Sequence, residues 1–194
     1  MLWLRWPTRD DDPTPAGRAG QAMSIKAAII TCSDRCARGD TRDESGQALY
    51  AMMRARGAEV LAYEIVPDDA ERIAVKLREI ADLGAQVILT TGGTGVAATD
   101  VTPEATRQVI DREVPGIAEA MRAASLAVTP HAMLSRAVAG IRGRTLIINL
   151  PGSPKGAREC LEVVLPALDH AVELLSGPVP DDSHAPPREW QRER

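Results

Sequence analysis

Val87-Ile88-Leu89-Thr90 runs without a break into Thr91-Gly92-Gly93-Thr94-Gly95, an apolar, β-branched run that ends in three glycines within four residues. A short run of this composition suits a strand buried on both faces, as in a parallel sheet. Glycines after such a strand let the backbone come close to a ligand with its N–H groups exposed, which suits a phosphate. The same glycines also serve simple tight turns, so the loop alone leaves both readings open.

Upstream, strands and helices alternate. Ala27–Thr31 reads as a first buried strand, and Val60–Val66 as a second. Between them, Glu44–Arg56 places Ala48, Leu49, Met52 and Met53 at helical spacing, and Gly57 supplies the stop. After the second strand, Asp68-x-x-Glu71 has the form of a capping box opening a helix with Ile73, Leu77 and Ile80 on one face, ended by Gly84.

Downstream, a helix is expected from Pro103 with Thr102 as its N-cap, and another from Pro115 carrying Ile117, Ala120, Met121 and Ala124. Val138–Ile141 and Thr145–Leu150 read as an antiparallel pair joined at Arg142-Gly143. A last helix begins near Pro154 after Ser153 and runs towards Leu175, with Pro166 expected to kink or split it. This order predicts a doubly wound α/β fold: a mostly parallel sheet with helices on both faces and a small antiparallel pair. Ligands of such sheets bind at the carboxyl ends of the strands, so the loops after strands one, two, three and the last should converge.

Bulk properties narrow the function classes. A chain of 194 residues suits one domain. A net charge of −4 gives no global attraction to nucleic acid or anionic lipid, so an anionic ligand needs a local site. No apolar run approaches the roughly 18 residues of a membrane span. Cys32, Cys36 and Cys160 form no framework and suit a reducing, cytoplasmic setting; Cys32 and Cys36 have no second ligand pair at metal spacing. Residues 1–22, with three prolines and a run of aspartates, have the composition of a disordered extension rather than a signal peptide. Met23, just before the first strand, is a candidate start. Residues 23–176 form the expected catalytic domain, and 177–194 a proline-rich polar tail.

The converging loops carry Ser33-Asp34-Arg35 and Asp43-x-Ser45-Gly46 after strand one, then Pro67-Asp68 after strand two. Asp100-Val101-Thr102-Pro103 follows the glycine loop, and Asn149-Leu150-Pro151-Gly152-Ser153 ends the last strand. Asp68 and Asp100 are hard oxygen donors of the type Mg²⁺ prefers when it bridges phosphates. Asp68 also reads as a helix cap, and the two roles can coexist. His131, His170 and His184 lie near no partner cluster and read as surface or packing residues.

Thr91–Gly95 with Asp100-Val101-Thr102-Pro103-Glu104-Ala105-Thr106 resembles the signature of the molybdopterin adenylyltransferases, the Mog-type bacterial enzymes and the G domains of homologues such as gephyrin. The likeness extends through Pro115-Gly116, Ala132–Arg136, Ala139–Gly143 and Leu146–Gly152, and covers about residues 24–176. The resemblance implies a homotrimer that adenylylates molybdopterin with ATP and Mg²⁺ in molybdenum cofactor synthesis, with a molybdenum-insertion protein as a possible partner. Carried over by motif position, Asp68 and Asp100 match the acidic residues linked with catalysis and Mg²⁺. Ser135, Asn149 and Pro151 match the molybdopterin side, and Gly152 is expected among the substrate- or nucleotide-binding residues. Ser33, Asp34, Gly92, Gly93, Thr94 and Gly95 match the nucleotide and phosphate region. Two alternatives stand beside this reading: a MoaB-type binding or scaffold protein without robust turnover, and a nucleotide-binding module with another substrate.

Overall fold

The computed structural model describes residues 24–177. The expectations for 1–22 and for the tail beyond Gly177 lie outside the described residues. Six strands form one sheet: β1 (Lys26–Cys32), β2 (Glu59–Val66), β3 (Val87–Thr91), β4 (Arg112–Glu113), β5 (Ala139–Arg142) and β6 (Thr145–Leu150). Their order is β2-β1-β3-β6-β5-β4. β2, β1, β3 and β6 run parallel, while β5 is antiparallel to both β6 and β4. The helices are α1 (Asp34–Ala37), α2 (Glu44–Ala55), α3 (Ala70–Asp82), α4 (Thr102–Arg107), α5 (Pro115–Leu126) and α6 (Pro154–Ser176).

Strand side chains alternate between faces, and each face is buried. Ala27 and Ile29 of β1, Val87 and Leu89 of β3, and Leu146 and Ile148 of β6 point to one face. There they meet Leu49 and Met53 of α2, Met121 of α5 and the Leu161–Leu168 seam of α6. Ala28, Ile30, Ile88 and Ile147 point to the other, against Ile73, Leu77 and Ile80 of α3 and Ala105 of α4. Burial on both sides is why these strands read as continuous apolar runs. Among the described residues, no helix is long and apolar enough to cross a membrane.

Three local expectations are corrected. The cap of α3 is Asp69, whose side chain accepts from the Arg72 amide, and not Asp68. A tight turn closed by the Asp69 amide on the Pro67 carbonyl (2.8 Å) delays the helix by one residue. Thr102 does not cap α4: it lies inside the first turn, Val101 holds the cap position without a side-chain bond, and the Thr102 hydroxyl is used elsewhere. Pro166 does not split α6, which is continuous over 23 residues. The proline sits on the exposed face, while Cys160, Leu161, Val164, Leu168 and Val172 keep one buried seam on either side of it. That packing outweighs the roughly 3 kcal/mol an interior proline costs. The short α1, the edge strand β4 and a 3-10 turn at Pro130–Leu134 carry no strong periodic signal in the sequence.

Candidate active site

The register builds the site. Val66 pairs with Cys32, Thr31 with Thr91, and Thr91 with Leu150, so the loops leaving β2, β1, β3 and β6 start from one rim. The chain after β1 goes to the α2 face and the chain after β3 to the α4 face. The crevice between β1 and β3 is therefore the point where the winding reverses, the usual ligand position in such sheets.

The glycine loop follows β3 directly. Gly92 and Gly93 have φ of +96° and +60°, conformations that favour glycine. A Cβ on Gly92 would strike the Cys32 carbonyl, and one on Gly93 would strike the Thr102 hydroxyl. Thr102 holds the loop from below: its hydroxyl donates to the Gly92 carbonyl (2.9 Å) and its amide to the Gly93 carbonyl (3.1 Å). The Gly92 amide is itself taken, by the Leu150 carbonyl at 3.3 Å. The amides of Gly93, Thr94 and Gly95 donate to no protein acceptor among the described residues. The phosphate cradle expected over Gly92–Gly95 is thus narrowed to three N–H groups.

Both acidic residues flank this loop. Asp68 Oδ1 lies 3.4 Å from where a Gly93 Cβ would stand, and Asp100 Oδ2 lies 2.9 Å from that point on Gly95. Asp68 and Asp100 line the same polar pocket, of about 660 Å³, together with Ser33, Gly92, Gly93 and Gly152. Asp34 stands behind Asp68 in a reciprocal pair. Its amide donates to Asp68 Oδ2 (2.9 Å), and the Asp68 amide donates to Asp34 Oδ1 (3.1 Å). Asp34 therefore fixes Asp68 and does not itself line the pocket. Asp100 closes its own turn, accepting from the Ala97 amide at 2.8 Å.

Burial raises the Asp68 carboxyl above its ordinary 3.8. The hydrogen bond from the Asp34 amide opposes this, and the negative charges of Asp34 and Asp100 push it up further. Neighbouring carboxylates at one rim could hold a divalent cation. Among the described residues, no group of three or more His, Cys, Asp or Glu side chains surrounds one metal position. Asp68 and Asp100 are the side chains here that could contribute to holding an oxygen-liganded cation such as Mg²⁺.

The other expected residues divide. Ser33 lines the polar pocket and caps α1 by accepting from the Cys36 amide (3.3 Å). Thr94, Gly95, Ser135 and Pro151 open instead on a second, largely apolar cavity of about 270 Å³ on the other side of the glycine loop, walled by α5, α6 and the 3-10 turn. Asn149, expected on the molybdopterin side, is fully buried and reaches neither pocket. Its Nδ2 donates to Thr90 (3.0 Å) and Thr106 (2.8 Å), and its Oδ1 accepts from the Val138 amide (3.3 Å). With every polar atom satisfied, it pins β3, α4 and the start of β5 together.

Two residues of the site carried no role from sequence. Arg136 clamps the glycine loop and the Asp100 turn: its Nε donates to the Gly95 carbonyl, its Nη2 to the Asp100 carbonyl, and its guanidinium pairs with Glu104. Asp43 is 5% exposed and accepts from Thr31, Tyr63, Ser45 (3.2 Å) and the Gly46 amide (2.8 Å), which anchors the long loop after β1 to the sheet. Both residues bind partners 12 or more positions away, which no local pattern registers; only the Asp43-x-Ser45-Gly46 cap is visible in the sequence.

The chain is a doubly wound α/β domain with two carboxylates and a glycine loop at its winding reversal. The chain belongs to the family described as a probable molybdopterin binding domain, which matches residues 28–170. It is 43% identical over 158 residues to the molybdopterin adenylyltransferase of Helicobacter pylori strain J99, covering 80% of this chain and 90% of that protein. It is 44% identical to gephyrin of Dictyostelium discoideum over 76% of this chain, and spans only 22% of that longer protein. Among solved structures, the molybdopterin biosynthesis enzyme MoaB of Thermus thermophilus is 54% identical, with a TM-score of 0.75 over 79% of this chain and 98% of that one.

Proposed function

We propose that the protein adenylylates molybdopterin with Mg-ATP. A terminal phosphate oxygen of molybdopterin attacks the α-phosphorus of ATP, the bond from that phosphorus to the oxygen bridging to the β-phosphate breaks, and pyrophosphate leaves with the electron pair. The single observation that carries this reading is the glycine loop between two pockets: one polar with Asp68 and Asp100, the other largely apolar with Ser135 and Pro151. A polyphosphate suits the first, a pterin ring system the second. The name of the Helicobacter relative supports the same activity.

Attack of one phosphate on another is opposed by like charge, so the site has to supply positive potential and alignment. Mg²⁺ held by Asp68 and Asp100 would neutralise phosphate oxygens. Gly93, with an amide that donates to no protein acceptor among the described residues, lines the same pocket, and Thr102 and the Arg136 clamp hold the loop in place. Aligning two bound substrates supplies roughly 7–11 kcal/mol of barrier reduction. No general base is required, because a phosphate monoester is already ionised near neutral pH.

The reading extends to the homotrimer. Leu126, Val128, Met133 and Leu134 are exposed on α5 and the adjoining 3-10 turn, a concentration of apolar surface suited to a subunit contact.

The deciding assay mixes purified protein with molybdopterin and Mg-ATP. Pyrophosphate release that requires molybdopterin is the expected result. Tight molybdopterin binding without release would make the protein a binding or scaffold member of the family, and release indifferent to molybdopterin would point to another substrate.

A further inference from the structure

The loop after β1 carries three arginines, and they are not equivalent. Arg38 is engaged by Asp40 (2.9 Å) and Asp34 (3.9 Å). Arg35 and Arg42 form no salt bridge among the described residues, and both line the polar pocket. They are the only cationic side chains among its lining residues, facing a space shared with Asp68, Asp100 and the glycine loop. Their backbone is held: Ser33 caps the turn that carries Arg35, and the buried Asp43, bonded to Thr31 and Tyr63, fixes the residue next to Arg42.

We infer that Arg35 and Arg42 bind the β- and γ-phosphates of the nucleoside triphosphate and stabilise pyrophosphate as it departs. The inference rests on the proposed adenylyl transfer and assigns the cationic part of its site. A triphosphate carries charge at every phosphorus. In this reading Asp68, Asp100 and Gly93 serve the reacting phosphorus, and the distal phosphates call for cations. The guanidinium fork, with five donors and a permanent charge, matches phosphate oxygens bidentately. Charge that grows on the leaving group during bond cleavage strengthens those contacts in the transition state. Asp68 and Asp100 would hold a divalent cation, and Arg35 and Arg42 would meet the distal phosphates, in a pocket also lined by Asp43 and Glu44.

Arg35→Ala, Arg42→Ala and the double variant test this, with Arg→Lys versions as charge-preserving controls. Two readouts are taken: titration with inorganic pyrophosphate and Mg²⁺, and the KM values for ATP and for molybdopterin. Each alanine should weaken pyrophosphate binding and raise the ATP KM about tenfold, the effect of losing one charge-assisted contact, while molybdopterin KM stays within about twofold. The lysine versions should recover part of each loss, and melting temperatures should hold because both side chains are exposed. Wild-type-like pyrophosphate binding by the double variant would overturn the inference, as would a rise in molybdopterin KM in place of ATP KM. If the wild-type protein shows no turnover, adenylyl transfer fails as a reading, and the pyrophosphate titration still decides the role of the arginines.

Discussion

Asp100 has no capping duty, and its carboxylate closes a turn with one oxygen while the side chain lines the polar pocket. Asp100→Asn keeps an oxygen for the Ala97 amide and removes the charge. It should lower turnover roughly 10²–10³-fold, the scale of losing one electrostatic contact to a transition state, with an unchanged melting temperature. Near-normal rates would remove the metal role. Cys32 offers a test of a different kind. Burial pushes its thiol up from 9.0 to about 12, with a bond from Thr102 opposing and the charge of Asp68 adding. At pH 8, alkylation of the native protein should spare Cys32 and modify Cys36, which is partly exposed. The folded state holds the Cys32 proton more tightly than the unfolded chain, so this group's contribution to stability falls as pH rises from about 9 towards 12. The loss should approach roughly 4 kcal/mol, and Cys32→Ala should flatten that decline in pH-dependent denaturation.

At the scale of elements, the single-residue shift at the start of α3 separates two roles that share one dipeptide. Asp69 caps the helix, while Asp68 is left to the pocket and to its reciprocal bonds with Asp34. Asp69→Ala should cost about 1 kcal/mol in urea denaturation, the usual value of a lost N-cap, with turnover retained. Asp68→Asn should show the reverse: stability retained and turnover reduced. Reduced stability in Asp68→Ala, with Asp69→Ala neutral, would return the cap to Asp68. The same dipeptide shows the limit of local reading. In sequence Asp68-x-x-Glu71 is the better capping box, since Asp69 has Arg72 at the third position, and the Asp69–Pro67 turn that overrides it is a backbone hydrogen bond.

Over the whole molecule, the sheet order places helices on both faces and leaves one rim for ligands, while Leu126, Val128, Met133 and Leu134 are exposed between the end of α5 and the 3-10 turn. If that surface joins subunits, Met133→Glu should shift the sedimentation profile from trimer to monomer without unfolding, since a charge on an apolar contact is costly to bury. A wild-type protein that sediments as a monomer would remove the subunit contact.

Continuous apolar runs, helical spacing and glycine punctuation are local properties, and through them the chain alone determined the doubly wound sheet, the antiparallel pair and the convergence of four loops on one rim. The roles of individual side chains were decided by partners brought from distant positions. Asn149 matched a ligand-side position by motif, yet Thr90, Thr106 and Val138 take every hydrogen bond it can make. Arg136 lay in a motif without a role until folding set it against the carbonyls of Gly95 and Asp100. A polar side chain binds whichever acceptor or donor the packed core leaves within about 3 Å, and that choice exists only once the sheet has brought its loops together.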